Sequence, residues 1–505
     1  MSSPKFFLGS FFSGHSLFSS LSPSFQPSFP TQEKKDSRRF LLLRLIIFPG
    51  VILIYAFPDP YRSLSYIVGF GICIIYAFWS WPQVWMIILY LIPALEMAPP
   101  LFDYPKLLPH RFLLVFAAII LLVKWARTKH LYRIFPSPVF LAFGGFIGAN
   151  VISALQAGSP DAFFRSLTYF EPLLYFTLTW ALIFLYRWPP DKFIFNLILA
   201  GAWVQVIGLV EIITQKTFRQ LLSISGPEAL PVLMAENRFG LGGRIASTLS
   251  HPVYAGFYFL LLLILSLYFF YHFRRNLKGL LILLFPLTSF LILATGTRAI
   301  ILCLVLSLAT FYFLLSQQRK TFLPVVAGSL VLLIFFLVLF PQIPAYFQKS
   351  LKLRPRVQES VNLRYRLALT KALFQEFKEK PLFGHGPGLI QKQALQGKDS
   401  KYKGLSGIEN QYAIILADGG ILAGLAYLIF IVFTLVEAWK LDGRSPPELI
   451  YGRAALLATL AAYFFFVVTE TCLTLAPNFI LMSFYGSLIA RKWRLQQPRT
   501  QEELG

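Results

Sequence analysis

Three features mark this chain as an all-α protein that crosses a membrane many times. Of 505 residues, 56% are hydrophobic and 17% aromatic, and only 14% carry charge, against roughly 25% in a soluble domain. The mean hydropathy is +0.63. Apolar runs of about 17–25 residues recur along the chain, the length a helix needs to cross a bilayer. The charges gather in clusters between those runs rather than inside them.

Taken in order, residues 1–39 are rich in Ser, Phe and Pro, with no acid before Glu33. They lack the apolar core and cleavage site of a secretory signal. They are expected to form a disordered cytoplasmic tail, unless the start codon is misassigned; a plastid-type transit peptide would carry more Arg. From residue 40, length and apolarity predict about 12–14 spans. They lie near 40–57, 63–81, 83–97, 112–126, 137–156, 166–186, 193–214, 252–271, 279–295, 298–315, 322–340, 411–436, 451–470 and 472–490. Grouped as domains, these are N-terminal helices over 40–214, a loop at 215–251, helices over 252–340, a basic loop at 341–410, helices over 411–490 and a tail at 491–505.

Lys/Arg clusters at 34–39, 124–133, 274–278, 319–320 and 491–494 all fall on one side if the N-terminus is cytoplasmic, as the positive-inside rule requires. Fourteen alternating spans then return the C-terminus to the cytoplasm. The loops at 215–251 and 341–410 land on the outer face. The net charge of +23 is that of basic loops beside anionic lipid. No zinc spacing, P-loop or aromatic-basic motif accompanies it, so nucleic acid is excluded as a partner. Cys73, Cys303 and Cys472 sit in separate apolar runs and read as small core residues.

From Pro341 to Gly407 there are 13 Lys/Arg and four acids, net +9, a surface suited to an anionic lipid head or a diphosphate. Within it, Leu363, Leu367, Phe374 and Phe377 can share one face of an amphipathic helix over 362–380 that would lie on the membrane. Pro381 ends that helix, and Phe383-Gly384-His385-Gly386-Pro387-Gly388 makes a glycine-rich turn. His385 is expected to be exposed, and His251 to cap a helix, neither with a metal-ligand partner at useful spacing. Acids at span ends are Glu96, Glu171, Glu211 and Glu470. Each is an interface charge or a functional group, since ionisable side chains near lipid are costly. Arg298, in the tight break Thr295-Gly296-Thr297-Arg298, and Arg244, in Gly242-Gly243-Arg244, have guanidinium forks suited to a phosphate. A second break carries Glu409-Asn410-Gln411-Tyr412, an acid, amide and phenol at the mouth of the span that runs through Asp418-Gly419-Gly420.

Four of these stretches, in order, resemble motifs of the O-antigen ligase / O-antigen polymerase superfamily of integral-membrane glycosyltransferases. They are Gly243-Arg244 through His251-Pro252 to Gly256; Thr295-Gly296-Thr297-Arg298; Arg366 through Pro381-Leu382-Phe383-Gly384 to Gly388; and Glu409-Asn410-Gln411-Tyr412 through Gly420 to Gly424. The likeness covers about residues 190–435. It implies a GT-C-like fold with no cofactor, and a polyprenyl-diphosphate-linked glycan as substrate at the outer face of the bacterial inner membrane. A glycan or lipid would be the acceptor, and a flippase or chain-length protein a possible partner. By the same resemblance Arg298 and Arg244, with Arg366 and Arg364, would hold the diphosphate. Glu409 would act as base, and Asn410, Tyr412, His385 and Glu211 would contact substrate. The chain departs from the ligases in one place: Glu409 stands where they carry His, which is closer to the polymerase and exopolysaccharide branches. The alternatives are a membrane transporter, for bicarbonate or another solute, and a non-catalytic envelope scaffold.

Overall fold

The computed structural model describes residues 45–54, 61–96, 108–128, 137–214, 218–222, 247–249, 251–272, 278–315, 356–390, 410–441, 447–469 and 475–496, with a few single positions between them. Every regular element among them is helical: α1 Leu45–Ile54, α2 Tyr61–Leu95, α3 Pro109–Thr128, α4 Pro138–Gln156, α5 Pro160–Thr168, α6 Phe170–Phe184, α7 Pro190–Thr214, α8 Phe218–Leu221, α9 Pro252–His272, α10 Lys278–Ala294, α11 Arg298–Leu314, α12 Arg356–Glu379, α13 Gln411–Trp439, α14 Pro447–Thr469 and α15 Ala476–Gln496. Six stretches are long and apolar enough to cross a membrane, the α5–α6 pair counting as one, and five shorter apolar helices accompany them. The protein is a multi-pass membrane protein, and the expected spans recur with small shifts of boundary. The span at 322–340 lies outside the described residues.

Two expected spans are fused in α2, which bends at Ser80 (φ −137, ψ 67). Pro82 lacks the N–H for the carbonyl four residues back, so the helix cannot run straight there. The halves on either side line one apolar cavity of about 950 Å³ with α1 and Leu113 of α3. The span read at 166–186 is likewise two pieces: α5, capped by Ser159 with Pro160 at its first turn, and α6.

The outside of the bundle is apolar. Leu141, Leu155, Leu302, Val305, Phe313, Leu425 and Leu428 are exposed, Phe313 by 72%. No soluble monomer carries so much exposed apolar surface, and lipid is the medium that covers it. Between helices, where burial in lipid gives no hydrophobic drive, hydrogen bonds and small residues supply the contacts. Asn196 donates to Met86 O (2.8 Å), Gln205 to Thr288 Oγ1 (2.6 Å) and Tyr485 to Thr434 O (3.1 Å). The most extensive packing is of α15 on α6 and of α13 on α4.

Gly486 sets the first of these contacts, because a Cβ there would lie 2.6 Å from Phe176 O. Gly486→Val is expected to push α15 off α6 and cost about 2 kcal/mol. The check is a lower unfolding temperature of the detergent-purified protein than that of a Leu495→Val control at an exposed position of α15.

Candidate functional site

The site begins with a broken helix. α13 starts at the cap Asn410 (φ 115, ψ 92), whose Oδ1 accepts from the Ala413 N–H at 3.2 Å, and it breaks at Gly420 (φ 65, ψ −165). The break leaves backbone groups on both sides without their helical partners. The turn that follows α12 supplies new ones. Ile421 N–H donates to Pro381 O (2.8 Å) and Leu422 N–H to Leu382 O (3.4 Å), while His385 N–H donates to Ala417 O (3.0 Å) and Gly386 N–H to Asp418 O (2.8 Å). Ser153 of α4 adds a hydroxyl to Asp418 O at 2.7 Å. Asp418 Oδ2 then accepts the Gly388 N–H at 2.9 Å.

Only glycine fits this junction. Gly384 (φ 69) and Gly420 face each other so closely that a Cβ on either would run into backbone, Asp418 O for one and Leu382 O for the other. Gly386 (φ 100) lies against the α4–α5 corner, where its Cβ would be 2.7 Å from Ala157 Cβ. Gly388 (φ 76) lies on the stem of Arg165.

Beside the junction is a polar cavity of about 330 Å³. Its lining includes Glu96, His110, Arg111, Arg165, Tyr169, Tyr254, Gln411 and Asp418. His110, Tyr254, Gln411 and Ala476, which also lines it, belong to the first turns of α3, α9, α13 and α15. Helix N-termini carry partial positive charge and unpaired N–H groups. Four of them converge on one cavity with two arginines and two carboxylates, Glu96 and Asp418. The acids are held by neighbours: Arg111 Nε stands 2.7 Å from Glu171 Oε1, and Glu96 Oε2 accepts the Ala476 N–H at 2.8 Å, capping α15. Arg165 makes no ion pair within 4 Å among the described residues, though its charge acts on Asp418 and Tyr169 beside it.

The expected site residues fall into three groups. Glu409 and Arg244 lie outside the described residues. Arg298, at the start of α11, and Arg364 and Arg366, in α12, are described in their backbone only. The break before Arg298 abuts Gly256, whose Cβ would lie 3.0 Å from Thr295 Oγ1. That puts it against the first turns of α9, where Tyr254 lines the cavity. The remaining four hold backbone in place. Asn410 caps α13, Tyr412 donates to Phe464 O on α14 (3.1 Å), and His385 Nε2 meets Glu376 O (3.0 Å). Glu211 accepts the N–H groups of Phe218 (2.6 Å) and Ser247 (2.8 Å), gathering the loop after α7.

One expectation about the basic loop changes. His385 is not an exposed side chain without ligand-type neighbours: it is 18% exposed and meets the Glu376 carboxylate. The face of α12 that packs on the protein is Leu369–Leu373–Glu376, against Ala417 and Ile390, while Leu367 and Phe374 are exposed. His251 caps α9 as expected, its Nδ1 accepting from Val253 N–H (3.2 Å). Sequence reasoning gave no role to His110, Arg111, Arg165 or Asp418. The signal for Asp418 was present, an acid inside an apolar span next to a glycine pair.

Gly384→Ala or Gly420→Ala is expected to undock the turn, since each adds a collision to a left-handed backbone cost of about 1–2 kcal/mol. Limited proteolysis within residues 381–390 would reveal the undocking, with Gly144→Ala in α4, where a Cβ meets nothing within 4 Å, as the silent control.

No curated protein matches the chain. Residues 281–428, from α10 to the middle of α13, match the family model described as O-antigen ligase. The matched segment holds the Thr-Gly-Thr-Arg break, basic helix, glycine turn and kinked α13, and the match supports its likeness to the O-antigen ligase / O-antigen polymerase superfamily.

Proposed function

We propose that the chain transfers a sugar chain from a polyprenyl diphosphate to an acceptor hydroxyl at the outer face of the bacterial cytoplasmic membrane, acting as a polymerase or ligase. The O-antigen ligase match implies a glycosyltransferase-like enzyme working on a lipid-linked glycan. The observation that carries the reading is the polar cavity beside the matched turn, ringed by helix N-termini and arginines. Its two guanidinium groups suit a diphosphate's oxygens, and the apolar cavity that shares the last turns of α2 offers room for the isoprenoid. α12 would lie on the membrane through Leu367 and Phe374, with Lys371 and Lys378 toward anionic heads.

The orientation has its own support. At the end of the bundle away from the cavity, Arg494 Nη1 donates to Arg187 O (3.3 Å), and Lys440 and Lys492 flank Glu437 at 3.2 and 3.8 Å. Basic residues mark the cytoplasmic end, so both termini would be cytoplasmic and the cavity would face outward. A flippase and a chain-length protein would be neighbours there.

In the mechanism, Arg298, Arg244 and Arg366, joined by Arg165, hold the diphosphate and stabilise the charge that grows on it as it leaves. Glu409 takes the proton from the acceptor hydroxyl, which attacks the anomeric carbon from the opposite side, so the product is inverted. The arginines carry the charge that a metal ion would otherwise neutralise.

Arg298→Ala, Glu409→Gln and Arg165→Ala, each at confirmed expression, are expected to cut glycan transfer at least about 100-fold. The measurement is a profile of lipid-linked and surface polysaccharide in cells. Build-up of single lipid-linked repeats identifies a polymerase, and long lipid-linked chains without their acceptor identify a ligase. Unchanged glycans in all three variants would overturn the reading in favour of solute transport.

A further inference from the structure

A second set of chemistry-bearing side chains converges away from the cavity. Glu376 and Glu379 stand one turn apart near the end of α12, and the glycine turn folds back to set His385 beside them. One nitrogen of His385 and one oxygen of each carboxylate all lie within 4.8 Å of one another. His385 Nε2 is 3.3 Å from Glu376 Oε2. Glu376 is 6% exposed, His385 is half-buried and Glu379 opens to the surface.

We propose that Glu376, Glu379 and His385 form a binding site for a divalent transition-metal cation, Zn²⁺ foremost, that staples the glycine turn to α12. One imidazole with two carboxylates is a donor set that zinc accepts, with water completing the tetrahedron. Two ligands at about 2.1 Å in a tetrahedral shell stand roughly 3.4 Å apart, close to the separation of Nε2 and Oε2. The imidazole is already placed, because the His385 N–H and Gly386 N–H are both bonded to α13. Glu379, at the surface, leaves an entry path.

Binding requires Nε2 to lose its proton, with Nδ1 keeping the other, so the ion displaces the contact between Nε2 and Glu376 O. The role is structural. The ion would hold the turn whose Gly388 N–H positions Asp418, and it takes no part in the transfer chemistry.

The test uses the full chain purified in detergent, its affinity tag removed, stripped with chelator and titrated with Zn²⁺ against a chromophoric competitor. One ion per chain is expected, with thermal unfolding shifted upward in its presence. His385→Ala and Glu379→Gln should each weaken binding at least about tenfold. Glu379→Gln guards against misfolding, since that side chain is at the surface. Failure of the wild type to take up Zn²⁺, or wild-type titrations from both variants, would overturn the proposal and leave a plain His–Glu latch. No glycan substrate enters the experiment, so either result stands apart from the transfer reading.

Discussion

A helix that breaks inside a bilayer must find new partners for the backbone groups it releases, because lipid supplies none and each orphan costs several kcal/mol. At Gly420 the partners come from the turn at Pro381–Gly388, through two bonds in each direction between the two strands of backbone. The exchange requires left-handed glycines at Gly384 and Gly420 and backbone approach too close for any side chain. It fixes the end of α12, the direction of α13 and the place of Asp418 together. The cavity wall follows from that one junction.

The junction also explains how so many charges stand near lipid. Arg111 is paired with Glu171, Glu96 is tied to the α15 N-terminus and Asp418 to the turn. Charges left isolated there would be expensive, and paired ones cost far less. The lining thus holds as many carboxylates, Glu96 and Asp418, as guanidinium groups, Arg111 and Arg165. It is instead the basic character of residues 341–407, net +9, that calls for an anion.

Much of this was legible in the sequence and some was not, for identifiable reasons. Hydropathy located nearly every helix because length and apolarity are one-dimensional properties. The glycine turn and the Glu409–Tyr412 mouth were visible as local motifs. Their docking was not, because it depends on a break at Gly420 that reads in sequence as an ordinary helical Gly-Gly. Asn410 caps α13 and Tyr412 ties it to α14; a polar side chain near a helix mouth can serve that purpose as well as contact a substrate, and sequence alone does not separate the two. Arg165 escaped notice because its short helix α5 merged, by hydropathy, into the span that follows. The face of α12 that packs on the protein, Leu369 and Leu373, went unassigned because the sequence reading followed the bulkier residues of the opposite, exposed face.

The pairing of helices carries a consequence for how the protein comes into being. The principal neighbour of α4 is α13, and that of α6 is α15; Ala476 of α15 completes the wall begun by Glu96, just past α2. The early helices thus enter the membrane long before their partners exist, with Glu171 and Glu96 already in place. Contacts of such long sequence separation form late and slowly. The polar chamber is absent throughout synthesis and closes only when the final helix has been inserted, so a ribosome that stops short of α15 leaves behind a chain with most of its spans and no site at all.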